Sequence, residues 1–145
     1  MQGIALLITN GAEVPMRRPK TLKAAKRRAW EAISLHIRKK GARDGIARCV
    51  TCDSTARYQD MHCGHFVHGL TYARDENGKL YVLEENLHVQ DAACNTFGNG
   101  RLDVYAMFML DTYGREMIDE LHALKHKTLK ITLDEYWEIE KEYAA

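Results

Sequence analysis

The sequence has no long hydrophobic run, and this absence excludes a membrane-spanning protein. No stretch approaches the roughly twenty apolar residues that a transmembrane helix needs. The apolar stretch at residues 3–8 is too short for the core of a signal peptide, and no basic residue precedes it. The chain also has no internal repeat and no low-complexity tract. We therefore expect a cytoplasmic protein that makes no contact with a membrane.

Proline and cysteine are scarce, with two prolines and four cysteines in 145 residues. Both prolines and the turn signal Asn10-Gly11 lie in residues 1–20, which we predict to be an irregular N-terminal arm. Residues 21–145 are long enough for one domain, with a core at about residues 46–114 and C-terminal helices over residues 115–145. In a reducing cytoplasm, the cysteines are expected to be metal ligands or free thiols and not disulfides.

The net charge is close to zero, but the charges are unevenly distributed along the chain. Residues 16–48 contain twelve Lys and Arg against two acidic residues, whereas residues 103–145 contain ten acidic residues against five basic ones. A basic segment of this density is typical of a surface that binds the phosphates of DNA. A solvated helix face explains the same charges equally well. If the segment binds DNA, the candidate side chains are Lys23, Lys26, Arg27, Arg38 and Lys39.

The hydrophobic pattern changes along the first two thirds of the chain. Apolar residues recur every three or four positions between Thr21 and Lys40, which predicts an amphipathic helix that ends at Gly41. Residues 46–90 are instead rich in β-branched and aromatic residues between turn formers. This composition predicts strands at residues 58–67 and 79–83, with a turn at residues 75–78 before the second strand.

The last third of the chain is helical in pattern. An apolar stripe over residues 102–113 is interrupted by Gly114, and a second stripe follows over residues 117–124. Thr132 and Glu135 form the capping box of a final helix. The order of one helix, a small β-rich centre and three more helices indicates an α+β fold.

The four cysteines occur in a pattern that suggests a zinc site. Cys49 and Cys52 form a C-x-x-C pair, the spacing that lets two thiolates in a tight turn bind one tetrahedral zinc ion. A redox dithiol would need a helix directly after the motif, and a strand pattern follows instead. Downstream, Asp91 and Cys94 repeat the spacing with a carboxylate where cysteine is commonest. For the fourth ligand we rank Asp91 first and Cys63 second, with His62 and His88 as further candidates.

A second group of polar residues lies within and just after this motif. His65, Asn86 and Asn95 have the order and spacing of the HNH signature, with asparagine in the last position. The chemistry of that signature needs a neutral imidazole to take a proton from water, an amide to brace the loop between strands, and an oxygen ligand for a divalent cation. His65, Asn86 and Asn95 meet these three requirements in turn.

Several short motifs together carry a resemblance to a known family. They are Cys49-x-x-Cys52, Gly64-His65-Phe66, Asn86-x-His88-x-Gln90, Cys94-Asn95, Gly98-Asn99-Gly100 and Leu102-Asp103-x-Tyr105-Ala106-x-Phe108. In these motifs the sequence resembles the phage NinG/Rap family of recombination endonucleases. The resemblance covers about residues 20–114, and the N-terminal arm and the final helices add no information to it.

This resemblance implies a small HNH-like, or ββα-metal, zinc-knuckle centre between an N-terminal basic helix and C-terminal helices. It implies an endonuclease that hydrolyses DNA phosphodiesters with Mg²⁺ or Mn²⁺ on branched recombination intermediates such as Holliday junctions, in the cytoplasm of the phage's bacterial host. By the same resemblance His65 is the general base, Asn86 the bracing residue and Asn95 a metal ligand, with Asn99 one helical turn further as a second ligand. Junction cleavage usually requires two active sites, so a homodimer is expected by analogy.

Two positions depart from the family pattern. Asp91 stands where the family has cysteine, and Gly64 stands where many ββα-metal nucleases carry a metal-binding Asp or His just before the base. Asp60 and Asp103 are the carboxylates that we consider as replacements, although an ordinary surface role explains each of them more simply.

The competing function is a non-catalytic zinc-knuckle module that binds nucleic acid or a partner protein. Such a module needs the cysteines and the basic helix, but it has no requirement for His65 or Asn95. A nucleotide deaminase is a weaker alternative because the H-x-E followed by P-C-x-x-C signature is absent.

Overall fold

The structure is a computed structural model that describes residues 6–9 and 12–144. The described chain combines helices with short antiparallel strands and is a small mixed α+β protein. In chain order the strands are β1 (Leu6–Thr9), β2 (Ala12–Pro15), β3 (Ala42–Arg43), β4 (Ile46–Arg48), β5 (Thr55–Arg57), β6 (His62–His65), β7 (Tyr72–Arg74), β8 (Leu80–Val82) and β9 (Leu87–Gln90). The helices are α1 (Leu22–Lys40), α2 (Leu102–Tyr113), α3 (Arg115–Leu124) and α4 (Leu133–Tyr143). No helix among the described residues has the length and apolar character that crossing a membrane requires.

The chain divides into two compact units. One unit combines the described residues up to His36 with those from Lys130 onward, and the other is Ile37–Leu129. The physical reason is that α4 packs against α1, where Arg28 forms a 3.0 Å ion pair with the buried carboxylate of Glu140. Residues 37–129 have hydrophobic clusters of their own.

In the first unit, α1 has the buried stripe that its sequence predicts. Ala25, Ala29 and Ile33 are fully buried, although Leu22 at the start of the helix is 53% exposed. Helix α4 begins at the predicted capping box, in which the hydroxyl of Thr132 accepts the backbone N–H of Glu135 and the carboxylate of Glu135 accepts that of Thr132.

The predicted irregular arm over residues 1–20 is corrected by the structure. Strands β1 and β2 pair antiparallel, with Leu6 opposite Pro15. Pro15 is tolerated because it is the last residue of its strand, where a missing N–H removes no interior ladder bond. The predicted turn Asn10-Gly11 lies outside the described residues.

The second unit contains three small antiparallel sheets, ordered β3-β4-β5, β6-β9 and β7-β8. The predicted turn at residues 75–78 is confirmed, since the carboxylate of Asp75 accepts the backbone N–H groups of Asn77 and Lys79. It joins β8 to β7, a strand that the sequence pattern did not reveal. The predicted strand at residues 58–67 is shorter in the structure, where it covers His62–His65, because residues 58–60 form a short 3₁₀ helix. Arg57, just before this helix, donates a hydrogen bond to the carboxylate of Asp60 at its end.

Two hydrophobic clusters support this unit. The larger one joins the loop after β6 to helices α2 and α3, and its centre is formed by Phe66, Tyr105, Met109 and Leu121. The smaller one lies around Cys49, Cys94 and Val89. Sheet β6-β9 runs from His62 opposite Gln90 to His65 opposite Leu87, so it carries several of the candidate side chains in one short ribbon.

Candidate metal centre and active site

Four side chains meet where two turns of the chain approach each other. The turn between β4 and β5 carries Cys49 and Cys52, and the segment after β9 carries Asp91 and Cys94. Their ligand atoms all lie within 4.8 Å of one another, so the cluster could hold a metal such as zinc. Zn–S bonds of about 2.3 Å place two sulfurs of a tetrahedral site about 4 Å apart, which this spacing accommodates. Three sulfurs and one carboxylate oxygen are also a donor set that zinc accepts.

Local hydrogen bonds shape both halves of the cluster. In the first half, the N–H of Cys49 donates to the carbonyl of Ser54, and Asp53 takes a left-handed conformation with φ of 64°. In the second half, one carboxylate oxygen of Asp91 accepts the N–H of Cys94 at 2.7 Å. The other oxygen lies 2.9 Å from Sγ of Cys52. Asp91 thus caps its own turn with one oxygen and faces the cysteines with the other.

The ionisation of these groups follows from the same contacts. Hydrogen bonds from Cys52, Ser54 and the backbone of Cys94 hold the pKa of Asp91 well below its usual range. Burial raises the pKa of Cys49, but hydrogen bonds with Thr51 and the backbone of Asp91 outweigh it and leave that pKa below its ordinary value. Burial raises the pKa of Cys94 to about 12. The cluster therefore keeps a charged carboxylate at neutral pH beside thiols that a cation would deprotonate on binding.

The other candidates for the fourth zinc ligand lie elsewhere. Cys63 is buried in β6, and burial raises the pKa of its thiol to about 12. The ring of His88 is held between the hydroxyls of Tyr105 and Tyr113, at 2.8 and 2.7 Å. His62 faces Asn95. Of the ranked candidates, the structure brings Asp91 into the cluster, as the spacing of the sequence predicts.

His65 is the last residue of β6, next to the loop that leads to β7. Its Nε2 lies 2.9 Å from the hydroxyl of Thr71. Burial, with a smaller effect of the nearby His68, lowers the pKa of His65 from 6.5 to about 4. The imidazole is therefore neutral at physiological pH, the form that can accept a proton.

Asn86 is fully buried and holds the loop that follows His65. Its side-chain oxygen accepts the N–H of Val67 at 2.8 Å, and its amide nitrogen donates to the carbonyls of Val67 and Leu70 at 3.0 and 2.7 Å. The backbone carbonyl of Asn86 accepts the N–H of Phe66. These hydrogen bonds hold the backbone of residues 66–70 in place directly after the candidate base His65.

Replacing Asn86 with aspartate should destabilise the protein by about 2–4 kcal/mol. The carboxylate can still accept from Val67, but it would place a second oxygen against the two carbonyls that the amide nitrogen now satisfies. Urea unfolding of Asn86→Asp and of the wild-type chain at neutral pH measures the difference. The matched control is Asn77→Asp in the exposed turn before β8, where little change is expected. Equal stability of Asn86→Asp and the wild-type chain would contradict the bracing role.

Asn95 and Asn99 have different environments. Asn95 lies in a single helical turn at Ala93–Phe97, called the 93–97 turn below, and its amide nitrogen is 3.2 Å from Nδ1 of His62. The sequence predicts Asn99 one helical turn beyond Asn95 on the same side. This is wrong, because the helix ends at Phe97 and Asn99 is an exposed residue in a left-handed conformation with φ of 51°.

On the polar face of β9, the sequence predicts only a candidate zinc-ligand role for His88 and no role for Gln90. A hydrogen-bonded chain runs from the hydroxyl of Tyr113 to His88, from His88 to Tyr105, and from the hydroxyl of Tyr105 to the carbonyl of Gly64, directly before His65. Gln90 is fully buried, and its amide nitrogen donates to Thr51 and to the carbonyl of Gly100. The motif Asn86-x-His88-x-Gln90 contained the signal, because alternate residues of a strand share one face.

The basic side chains of α1 separate into two groups. Lys23, Lys26 and Lys39 are exposed, and Arg27 is exposed beside Glu31 at 3.8 Å. The sequence predicts that Arg38 also binds DNA, but its guanidinium donates to the carbonyls of Tyr58 and Gln59. The structure therefore gives Arg38 a structural contact, because its partly buried position in the last turn of α1 directs it to the start of the short helix before β6.

Two carboxylates, Asp60 and Asp103, are candidates to replace the metal ligand that is missing at Gly64. Asp60 is exposed and paired with Arg57 at 3.0 Å. Asp103 is exposed in the first turn of α2. Both environments fit ordinary surface acids.

Comparison with known proteins gives the family. The family model described as Bacteriophage Lambda NinG protein matches residues 12–145. The protein ninG of Escherichia phage lambda is 28% identical over 117 residues, which cover 81% of this chain and 52% of that protein. The protein ninG of Salmonella phage P22 is also 28% identical over 117 residues, with coverage of 81% and 53%.

The chain spans about half the length of these curated relatives. No solved structure matches the chain. The family match covers most of the sequence, including the four-residue metal cluster and the strand that carries His65. The chain therefore belongs to the NinG family of phage proteins.

Proposed function

We propose that this NinG-family chain is a metal-dependent DNA endonuclease of the HNH type. The observation that carries the proposal is the contact between Asn95 and His62, which brings the 93–97 turn against the strand that ends in His65. The base, the bracing amide and the oxygen ligand are then supplied by neighbouring elements of one compact unit. The neutral state of His65 at physiological pH agrees with the role of a base.

Each residue has a defined task in the proposed hydrolysis. His65 takes a proton from the water whose oxygen attacks phosphorus, while the bond to the 3′ oxygen breaks and leaves a 5′-phosphate end. Asn86 holds the loop after His65 in place, and the side-chain oxygen of Asn95 offers a ligand to a divalent cation. Mg²⁺ or Mn²⁺ supplies charge stabilisation to the phosphate and the departing oxygen when it is bound. Cys49, Cys52, Asp91 and Cys94 would hold zinc in a structural role, because an ion bound there would join the two turns beside Asn95.

The proposed substrate is branched DNA such as a Holliday junction, cut by a homodimer in the bacterial cytoplasm. Direct comparison of a four-way junction, a flap and a linear duplex, with Mg²⁺, with Mn²⁺ and with chelator, tests both the activity and the preference. Metal-dependent nicking that is strongest on the junction supports the proposal. Absence of nicking on all three substrates with either cation would refute it.

The exposed lysines of α1 fit a second candidate equally well, a zinc-knuckle module that binds nucleic acid without cutting it. The two functions differ in their dependence on His65. DNA binding without cleavage in the wild-type chain would favour the binding module, and cleavage that disappears in His65→Ala while binding persists would favour the nuclease.

The basic face of α1 should govern affinity for DNA. Replacing Lys23, Lys26 and Arg27 together with alanine is expected to weaken binding and to reduce the slope of log K against log salt by up to about one unit for each phosphate that is no longer neutralised. Fluorescence anisotropy over a series of salt concentrations measures this slope. The matched control replaces Lys125 and Lys127, which are exposed after α3. An unchanged slope in the triple variant would show that the face is simply solvated.

A further inference from the structure

His62 lies next to the oxygen ligand that the proposed nuclease needs. It is the first residue of β6, and its Nδ1 is 3.2 Å from the side-chain amide nitrogen of Asn95 in the 93–97 turn. Both side chains are partly buried, so they are shielded from bulk water while they remain accessible to a small ion. The sequence offered His62 only as a minor candidate for the zinc cluster, and it is not one of the four residues of that cluster.

We propose that His62 and Asn95 together are the protein ligands of the divalent cation in this site. The inference rests on the proposed function, because it names the residue that completes the cation site of the nuclease. The oxygen and nitrogen of an asparagine amide exchange places by a half turn of the side-chain torsion. After that turn, an imidazole nitrogen and an amide oxygen face each other, and both offer lone pairs.

The separation of the two atoms fits this role. Adjacent ligands of an octahedral cation with bonds of about 2.1 Å lie about 3 Å apart. The 3.2 Å between His62 and Asn95 is close to that value. After rotation of the two side chains, one cation could bind both of them, and water and a DNA phosphate would fill its remaining positions.

The surroundings of Gly64 exclude a ligand side chain at that position. A Cβ atom at Gly64 would lie 1.8 Å from the side-chain oxygen of Gln90. The Gln90 side chain is buried, and its amide nitrogen is held by hydrogen bonds to Thr51 and to the carbonyl of Gly100. A metal-binding Asp or His at position 64 is thus sterically excluded. His62 is two residues earlier in the same strand, so its side chain leaves the same face of β6.

The alternative carboxylates are less suited to this task. The carboxylate of Asp60 is engaged by Arg57, and Asp103 is exposed in the first turn of α2. His62, in contrast, already contacts Asn95.

The chemistry of the two ligands predicts a preference among cations. Mg²⁺ binds oxygen ligands in a strict octahedral geometry, whereas the first-row transition metals, of which Mn²⁺ binds most weakly, accept an imidazole nitrogen more readily than Mg²⁺ does. The site should therefore bind Mn²⁺ more tightly than Mg²⁺. A carboxylate in place of His62 would shift the preference toward Mg²⁺.

The test is Mn²⁺ binding to the zinc-loaded chain, followed by the electron paramagnetic resonance signal of free Mn²⁺. We expect wild-type protein to bind the ion and His62→Ala to bind it at least about tenfold more weakly. His62→Asp should regain affinity and bind Mg²⁺ more tightly than the alanine variant does. His126→Ala, in the exposed turn after α3, is the matched control and should bind like the wild-type chain. Zinc content and melting temperature, measured on the same samples, report whether each variant is folded.

The outcomes separate this inference from the proposed function. If wild-type protein binds no Mn²⁺, or if folded His62→Ala binds it as tightly as the wild-type chain, the assignment of His62 is overturned. In the second case, nicking of branched DNA by the wild-type chain would still leave the nuclease proposal intact. If Mn²⁺ binding depends on His62 but no DNA is cut, the cation site stands and the nuclease proposal fails.

Discussion

Replacing His65 with alanine is expected to lower the rate of DNA cleavage on the order of a hundredfold or more, while binding of the same DNA hardly changes. The reason is that His65 is the proposed acceptor of the proton from the attacking water, and alanine offers no base. Single-turnover cleavage of a four-way junction, together with anisotropy on the same DNA, measures both quantities. His65→Asn is a second variant, because its amide retains a polar contact near Thr71 but cannot accept the proton.

Three measurements on one His65→Ala preparation distinguish a base from a structural residue. A base leaves zinc content and DNA affinity unchanged and affects the rate alone. A zinc ligand would lower the metal content, and a pure core residue would lower the melting temperature without a specific loss of rate in the folded protein. Cleavage at close to the wild-type rate would exclude His65 as the base.

The pH dependence of the same reaction follows from the lowered pKa of His65. Because the free imidazole in the fold titrates at about 4, and not at 6.5, the base form is already complete well below neutral pH. The rate limited by this base should therefore fall only as the pH approaches 4, without an inflection near 6.5. A rate profile from pH 4.5 to 8 tests this expectation. A rate that is half-maximal near pH 6.5, in a profile that loses this inflection in His65→Asn, would show that burial does not lower the pKa of His65.

The free energy of unfolding should fall as the pH is lowered, because the pKa of His65 is lower in the folded chain than in the unfolded chain. The imidazole of His65 takes up a proton near pH 6.5 in the unfolded chain but only near pH 4 in the folded chain. The stability of the fold that depends on neutral His65 is therefore complete above pH 6.5 and is lost as the pH falls from 6.5 to 4. Burial also lowers the pKa of His88 to about 4, which adds a contribution over the same range. Urea unfolding between pH 7 and 4.5 should show this loss of stability, and the loss over the same pH range should be smaller in His88→Gln.

Replacing Cys49 with serine should release the bound metal and cost several kcal/mol of folding stability. Cys49 is fully buried at the centre of the smaller hydrophobic cluster, and its sulfur belongs to the four ligand atoms. Serine removes a zinc ligand and leaves a hydroxyl in an apolar environment. Zinc analysis of the purified protein and urea unfolding with and without chelator measure the two effects.

Two further variants sharpen the test of the zinc cluster. Cys63→Ala changes a buried cysteine that lies outside the cluster, so it should keep its zinc and lose only packing energy. Asp91→Cys should retain zinc or bind it more tightly, although the loss of the hydrogen bond to the N–H of Cys94 costs about 1 kcal/mol. Correctly folded wild-type protein that contains no zinc would contradict the zinc site. Loss of metal in Asp91→Cys would show that Asp91 is not one of its ligands.

Local sequence patterns were sufficient for the regular helices and for three of the four donors in the candidate metal cluster. The stripe and terminal glycine of α1, the break at Gly114 and the capping box of α4 all lie where the sequence predicts them. These features depend on residues three or four positions apart, which interact in any helix. Ligand spacing pointed to a zinc site at C-x-x-C, but it left four candidates for the last donor, and the fold brings Asp91 to that place.

Only the tertiary structure decided the roles that depend on distant contacts. The strand β7, the structural use of Arg38 and the end of the helix before Asn99 depend on neighbours that are far away in sequence or on backbone conformation, and no periodic pattern encodes them. The contact of His62 with Asn95 is of the same kind, since it joins residues 33 positions apart. The sequence by itself determined the regular helices and pointed to three cysteine donors of the candidate metal cluster, because both follow from local spacing, but it only ranked Asp91 first for the fourth position. The fold determined which polar side chains face each other, because that depends on how separate elements pack.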